Sequence, residues 1–231
     1  MSGLCCWARR WSGILCAAVG TGVIPAAHAA EPRLNVQDGV FAEPLLEYRV
    51  TLRRLLLPDE FQIFLLTQPS FAPEHAVYLV RGNGRCSVHS TRLTASLWYA
   101  LRRGTAAPRA LRSSRPLDES TCGAMVDLWR ESLRCVQSED DDADSGVDGA
   151  TYIFGLRDAF KVRVGETDNP RPDSWISRLA ALGSSAFDLA ESSEPLLSGR
   201  EAALRTEAVR MYKELVARRH GRCGEQPAPE R

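Results

Sequence analysis

Lysine is almost absent from this chain: Lys161 and Lys213 are its only examples, so nearly all of its positive charge is carried by arginine. A guanidinium fork suits carboxylates and phosphates better than an ammonium point charge does. The total charge is balanced, with 29 Lys+Arg against 29 Asp+Glu, which excludes a general affinity for nucleic acid. Histidine is scarce as well, with four in 231 residues. The chain has no Gly-x-Ser-x-Gly elbow, no His-Glu-x-x-His, no Gly-Lys-Ser/Thr phosphate loop and no Ser-x-x-Lys. The usual serine-hydrolase, zinc-peptidase, nucleotide-hydrolase and penicillin-binding chemistries lose their signatures together. No internal repeat is visible, and no apolar run reaches the roughly 20 residues that a spanning helix needs.

What is present begins with an export signal. Arg9 and Arg10 precede an uncharged, mostly apolar run from Trp11 to Ile24, and Ala27-His28-Ala29 supplies small residues for signal peptidase. Residues 1–29 are therefore expected to be a cleaved leader, and the mature protein to be periplasmic or secreted, with no membrane-spanning segment. Leu15 before Cys16 and Leu4 before Cys5 exclude a lipoprotein site, and Trp11-Ser12-Gly13 after the arginine pair favours the general secretory route. Losing Arg9 and Arg10 leaves the mature chain slightly acidic.

Charge is segregated along the mature chain. From Arg81 to Arg115 it carries arginines and no acid, whereas Asp118 to Asp148 is dominated by Asp and Glu, relieved only by Arg130 and Arg134. Such blocks either face each other in the fold or make one surface attractive to anions. Arg102, Arg103, Arg109 and Arg112 are the candidate binding residues for an anionic envelope component. Cys86, Cys122, Cys135 and Cys223 survive leader removal, and in an oxidising compartment they are disulfide candidates. A helix read from Leu117 to Val136 sets Cys122 and Cys135 too far apart to bond, so Cys86 is expected to take one of them and Cys223 the other.

Periodicity suggests an α+β fold: one compact domain over residues 43–221, a short-stranded antiparallel sheet packed by about four to five helices. Residues 30–42 read as a flexible lead-in and 222–231 as a flexible tail. Leu45, Tyr48, Leu52 and Leu55 form a helical stripe that stops at Pro58, and Phe61 to Thr67 reads as a buried strand. Asn83-Gly84 suits a primed hairpin turn between Ala76–Arg81 and Arg85–Ser90, which sets Tyr78 opposite His89 and Leu79 opposite Val88. Leu93 to Arg103 reads as a helix, Thr105 to Pro116 as a linker, and Leu117 to Val136 as a second amphipathic helix. Two strands, Thr151–Phe154 and Phe160–Val164, precede a loop from Gly165 to Pro172. Helices follow from Trp175 to Ala190 and from Ser198 to about Gly221, the last with a Ser198/Glu201 capping box.

Three constellations fall short of chemistry. Cys86-Ser87-Val88-His89 has the spacing of half a zinc site, but on a strand its ends point to opposite faces. Asp140-x-Asp142-x-Asp144 opens like a calcium loop, yet Ser145 replaces the turn glycine and Thr151 the bidentate glutamate. Neither a metal nor a cofactor is expected. Ser70 or Glu74 with His75 is the remaining hydrolase alternative.

Pro69-Ser70-Phe71-x-Pro73-Glu74, Leu128-Trp129, and Asp148-Gly149-x-x-Tyr152-x-Phe154 followed by Gly165 together resemble a group of uncharacterised exported bacterial proteins. The resemblance spans Phe61 to Trp175, implies one compact domain and implies no catalytic residue. The sequence thus points to a periplasmic, non-enzymatic binding protein whose partner is an envelope protein or an anionic envelope component.

Overall fold

The strand that reads Ile63-Phe64-Leu65-Leu66 is apolar on both faces because it runs through the middle of a sheet covered on both sides. The structure, a computed structural model, describes residues 35–36, 45–134, 149–159, 161–193 and 198–218. The leader, Cys135, the acidic residues Glu139 to Asp148, Cys223 and the tail lie outside them.

The described elements are β1 (Asn35–Val36), α1 (Leu45–Leu56), β2 (Ile63–Pro69), β3 (His75–Gly82), β4 (Arg85–Leu93) and α2 (Leu97–Arg102). They continue with β5 (Ala110–Leu117), α3 (Glu119–Ser132), β6 (Ala150–Asp158), β7 (Lys161–Asp168), α4 (Trp175–Glu191) and α5 (Ser198–Arg218). The strands form one sheet in the order β1-β7-β6-β2-β3-β4-β5, antiparallel throughout. The fold is α+β, and the described residues belong to a single compact unit.

Strand alternation splits the apolar residues into two cores. Ile63, Leu65, Val77, Leu79, Val88, Phe154 and Leu156 face α3, α4 and α5, where Trp129 and Leu179 are fully buried. Phe64, Leu66, Ala76, Tyr78 and Ile153 face the opposite way, against Tyr48, Leu52 and Leu56 of α1 and Leu97 of α2. Helices thus cover both faces, and one hydrogen bond and one disulfide tie the layers. Trp129 donates its indole N–H to the Phe64 carbonyl at 3.1 Å, and Cys86 on β4 is disulfide-bonded to Cys122 on α3, with Cα atoms 6.3 Å apart. Both cysteines are buried.

The hairpin follows its turn chemistry. Asn83 and Gly84 have φ of 52° and 69°, the left-handed values that a two-residue type I′ loop requires. Tyr78 then pairs with His89 and Leu79 with Val88. A close approach within the sheet is at Gly155 on β6, where a Cβ would sit 1.9 Å from Phe64 Cε1, so only glycine leaves room for that ring.

Several sequence expectations shift. Leu93 belongs to β4, and α2 is a six-residue helix from Leu97. The stretch from Ala110 to Leu117, read as linker, is strand β5, paired along its length with β4. Helix α3 ends at Ser132, so the unbroken helix expected through Val136 is not formed. Cys122 is excluded from pairing with Cys135 by its bond to Cys86 instead. Gly165 sits inside β7, not in a loop. Glu201 does not complete the expected capping box: its Oε1 accepts from Asp118 N at 2.6 Å, at the start of α3. Within the lead-in, Asn35 and Val36 pair with Glu166 and Gly165.

Candidate functional site

Half of the arginine block is taken up in joining elements. Arg112 donates to the Leu55 carbonyl in the last turn of α1 at 3.1 Å. Arg115 donates to the Ser192 carbonyl at the end of α4, and Arg92 pairs with Glu191 of the same helix at 3.3 Å. Cations suit helix C-termini, where carbonyls are left without helical partners and the dipole is negative. Arg81 pairs with Glu119 of the acidic block, so the two blocks do meet at one point.

Arg102, Arg103, Arg109 and Arg112 do not form one patch. Arg102 lies over the Trp98 ring, 5.7 Å from its centroid, and Arg103 over Tyr99 at 5.9 Å. Consecutive helical residues point about 100° apart, which directs the two guanidinium groups differently. Arg109 is exposed just before β5, its backbone N–H held by Thr94 Oγ1 and its carbonyl by Thr94 N.

Arg103 and the segment before Arg109 come together at an open groove of about 510 Å³. Its walls are the Phe71–Pro73 turn, the start of α2, and the chain from Thr105 to Pro108. Two strand pairings assemble it. Strand β3 carries the turn, β4 leads into α2, and β5 draws the α2–β5 connection back alongside. Phe71 is 74% exposed and Tyr99 is exposed too, so aromatic surface is presented to solvent at the mouth. Among the described residues no lining residue is a carboxylate, and Arg103 is the lining cation.

Three hydroxyls around the groove already give their protons to the protein. Ser96 Oγ donates to Glu74 at 3.2 Å, Thr105 Oγ1 to the Ala100 carbonyl at 3.2 Å, and Tyr99 to the Ser70 carbonyl at 3.4 Å. Thr94 Oγ1 accepts from Arg109 N, and the charged donor lining the groove is the Arg103 guanidinium. The chemistry offered is an apolar, aromatic wall with a positive lip, within the usual size range of small-ligand sites.

Glu74 holds the groove in shape from beneath. It is 1% exposed, and its carboxylate accepts from Tyr48 Oη at 3.0 Å, Leu97 N at 2.9 Å, Trp98 N at 3.3 Å and Ser96 Oγ. Two of these donors are the orphan N–H groups at the start of α2, so a residue just before β3 caps that helix. Burial, then the charge of Glu74, raises the Tyr48 phenol far above its ordinary value. No local pattern marks this role, because Tyr48 and Leu97 lie far from Glu74 along the chain.

The residues of the hydrolase alternative are not brought into one constellation. Glu74 faces Tyr48 and α2, whereas His75 faces α4, with its ring 4.8 Å from that of Phe187. Ser70 Oγ accepts from Gly149 N at 3.1 Å. Burial pushes the His75 imidazole below its usual value, partly opposed by the carbonyl of Pro73 and by Glu191, Asp188 and Glu74. His89 stacks flat on Tyr78 at 5.2 Å and is hydrogen-bonded to Ser87 Oγ at 2.8 Å, on the sheet face opposite Cys86. Its imidazole is also shifted down by burial.

A second hollow of about 670 Å³ lies between α4 and the ends of β6 and β7. Among the described residues it is lined by Asp188 and by no cation, so it has the wrong sign for an anion. Among the described residues, no helix is long and apolar enough to cross a membrane. Comparison of the chain with family models, with curated proteins and with solved structures finds no match in any of the three.

Proposed function

We propose that this is an exported, non-enzymatic binding protein that engages an anionic envelope component at the groove between Phe71 and Arg103. The observation that carries the reading is the pairing of exposed aromatic surface with a guanidinium lip and, among the described residues, no lining carboxylate. An apolar body fits against Phe71 and Tyr99 while a carboxylate or phosphate meets Arg103, with Arg109 and Arg102 adding to the local field. Arg112 is bonded to α1 and has the smaller part. The buried Cys86–Cys122 bridge suits a protein that folds where thiols are oxidised.

The test is retention of the purified, oxidised protein on anionic vesicles, on lipopolysaccharide and on acidic envelope proteins. Phe71→Ala and Arg103→Glu should each weaken binding by about tenfold or more, roughly 1.4 kcal/mol, and added salt should weaken the wild type. Equal retention of wild type and both variants on all three targets refutes the reading.

A further inference from the structure

Beside the groove the sheet ends in an open edge. Among the described residues, β5 has a strand neighbour on one side only. Its backbone directions follow from the ladder. In antiparallel pairing, alternate residues exchange both hydrogen bonds with the partner strand, and those between turn their N–H and C=O away. Thr94 N bonds to the Arg109 carbonyl and Thr94 Oγ1 occupies Arg109 N, while Thr94 and Arg109 extend the Leu93–Ala110 register. Residues 109, 111, 113, 115 and 117 therefore turn their backbone groups toward β4, whereas Ala110, Arg112, Ser114 and Pro116 turn theirs outward. Proline at 116 fits this phase, since the N–H it lacks is one that would face solvent.

The edge is regular: eight consecutive residues pair with β4, with no break in register. Arg112, Ser113 and Ser114 are exposed, and so is Leu111 at 37%. The strand and its lead-in carry Arg109, Arg112 and Arg115 and no acid. Those arginines reject a second copy of the same edge, because like charges would be brought together. They attract an acidic strand for the same reason.

We propose that the free edge of β5 is a strand-addition site for an extended acidic segment of a partner protein. The incoming strand accepts from the N–H groups of Ala110, Arg112 and Ser114 and donates to the outward carbonyls, and its acidic side chains meet Arg109 and Arg115 around Leu111. Main-chain bonds supply the affinity and the charges supply the choice of partner. This rests on the sheet edge, independently of the groove.

The probe is a synthetic peptide of about eight residues, the length of an ordinary strand, alternating glutamate and valine. The readout is residue-resolved amide exchange on the full oxidised chain. The peptide should slow exchange at Ala110, Arg112 and Ser114 by about tenfold or more, while Leu111, Ser113 and Arg115, already bonded to β4, change little. A backbone N-methylated peptide of the same composition, a lysine/valine peptide and the Ser114→Pro variant should each abolish the effect. Absence of binding by the acidic peptide overturns the proposal. So does protection elsewhere without those three amides, or equal binding by the N-methylated peptide. Phe71→Ala, which disables the groove, should leave the three protections intact, so failure of one site is distinguishable from failure of the other.

Discussion

Replacing Glu74 by alanine removes the acceptor for four donors at once. The bonds to Tyr48 Oη and Leu97 N are buried, so those donors are left without water, while Ser96 Oγ and Trp98 N are only partly enclosed. An unsatisfied buried donor costs about 1–3 kcal/mol, which makes the two buried ones worth about 2–6 kcal/mol together. In a domain of this size 1 kcal/mol moves the midpoint by about 2–4 °C, so Glu74→Ala should melt roughly 5–20 °C below wild type. Glu74→Gln keeps the shape and one oxygen but sets an amide N–H against a donor, and should lose less than alanine. The assay is urea and thermal unfolding followed by circular dichroism, with Tyr48→Phe and the double variant completing a cycle. A Glu74→Ala loss below about 1 kcal/mol, or strict additivity with Tyr48→Phe, would refute a carboxylate that holds α1 and α2 together.

Three other outcomes follow from the same structure. Non-reducing peptide mapping should recover Cys86 linked to Cys122, and the double alanine variant should lose about 2–4 kcal/mol in the loop-entropy account; a map linking Cys122 to Cys135 contradicts the fold. Gly155→Ala drives a Cβ to 1.9 Å from the buried Phe64 ring and should cost about 1–3 kcal/mol or prevent folding, and a neutral result contradicts the β2–β6 register. His75 and His89 both have native values depressed by burial, so the unfolded chain binds protons more readily. Their contribution is present above about pH 6.5 and is lost as the pH falls below it, and His75→Gln should flatten urea midpoints there. Stability that rises on acidification through that window would contradict the burial of both rings.

What was legible in the sequence was local. Asn83-Gly84 fixed a turn, and the turn fixed the register that sets Tyr78 on His89. The stripe on α1 and the unbroken apolar run of β2 carried their own periods. The strand β5 was missed because an edge strand has one neighbour and a solvated surface: Arg112, Ser113, Ser114 and Pro116 replace the apolar alternation that marks a strand. The helix read from Leu93 began too early because Leu93 is buried as the last residue of β4, against the same core that Leu97 enters. The groove was half visible, in Arg103 and Arg109. Its walls were not, because Phe71, Tyr99 and Pro108 meet only through pairings far apart in sequence, and Glu74, which shapes it, carries no local capping motif.

The central claim is that the mouth between Phe71 and Arg103 is where this protein meets its partner. A photoreactive amino acid at position 71, expressed in cells that export the protein and irradiated there, tests it most directly. The account predicts a covalent adduct with an acidic protein or an anionic lipid or glycan, lost when Arg103→Glu is combined with the label. A label at Val209, on the exposed face of α5, should give no such adduct. No adduct at position 71, or the same adduct from position 209, would contradict the account.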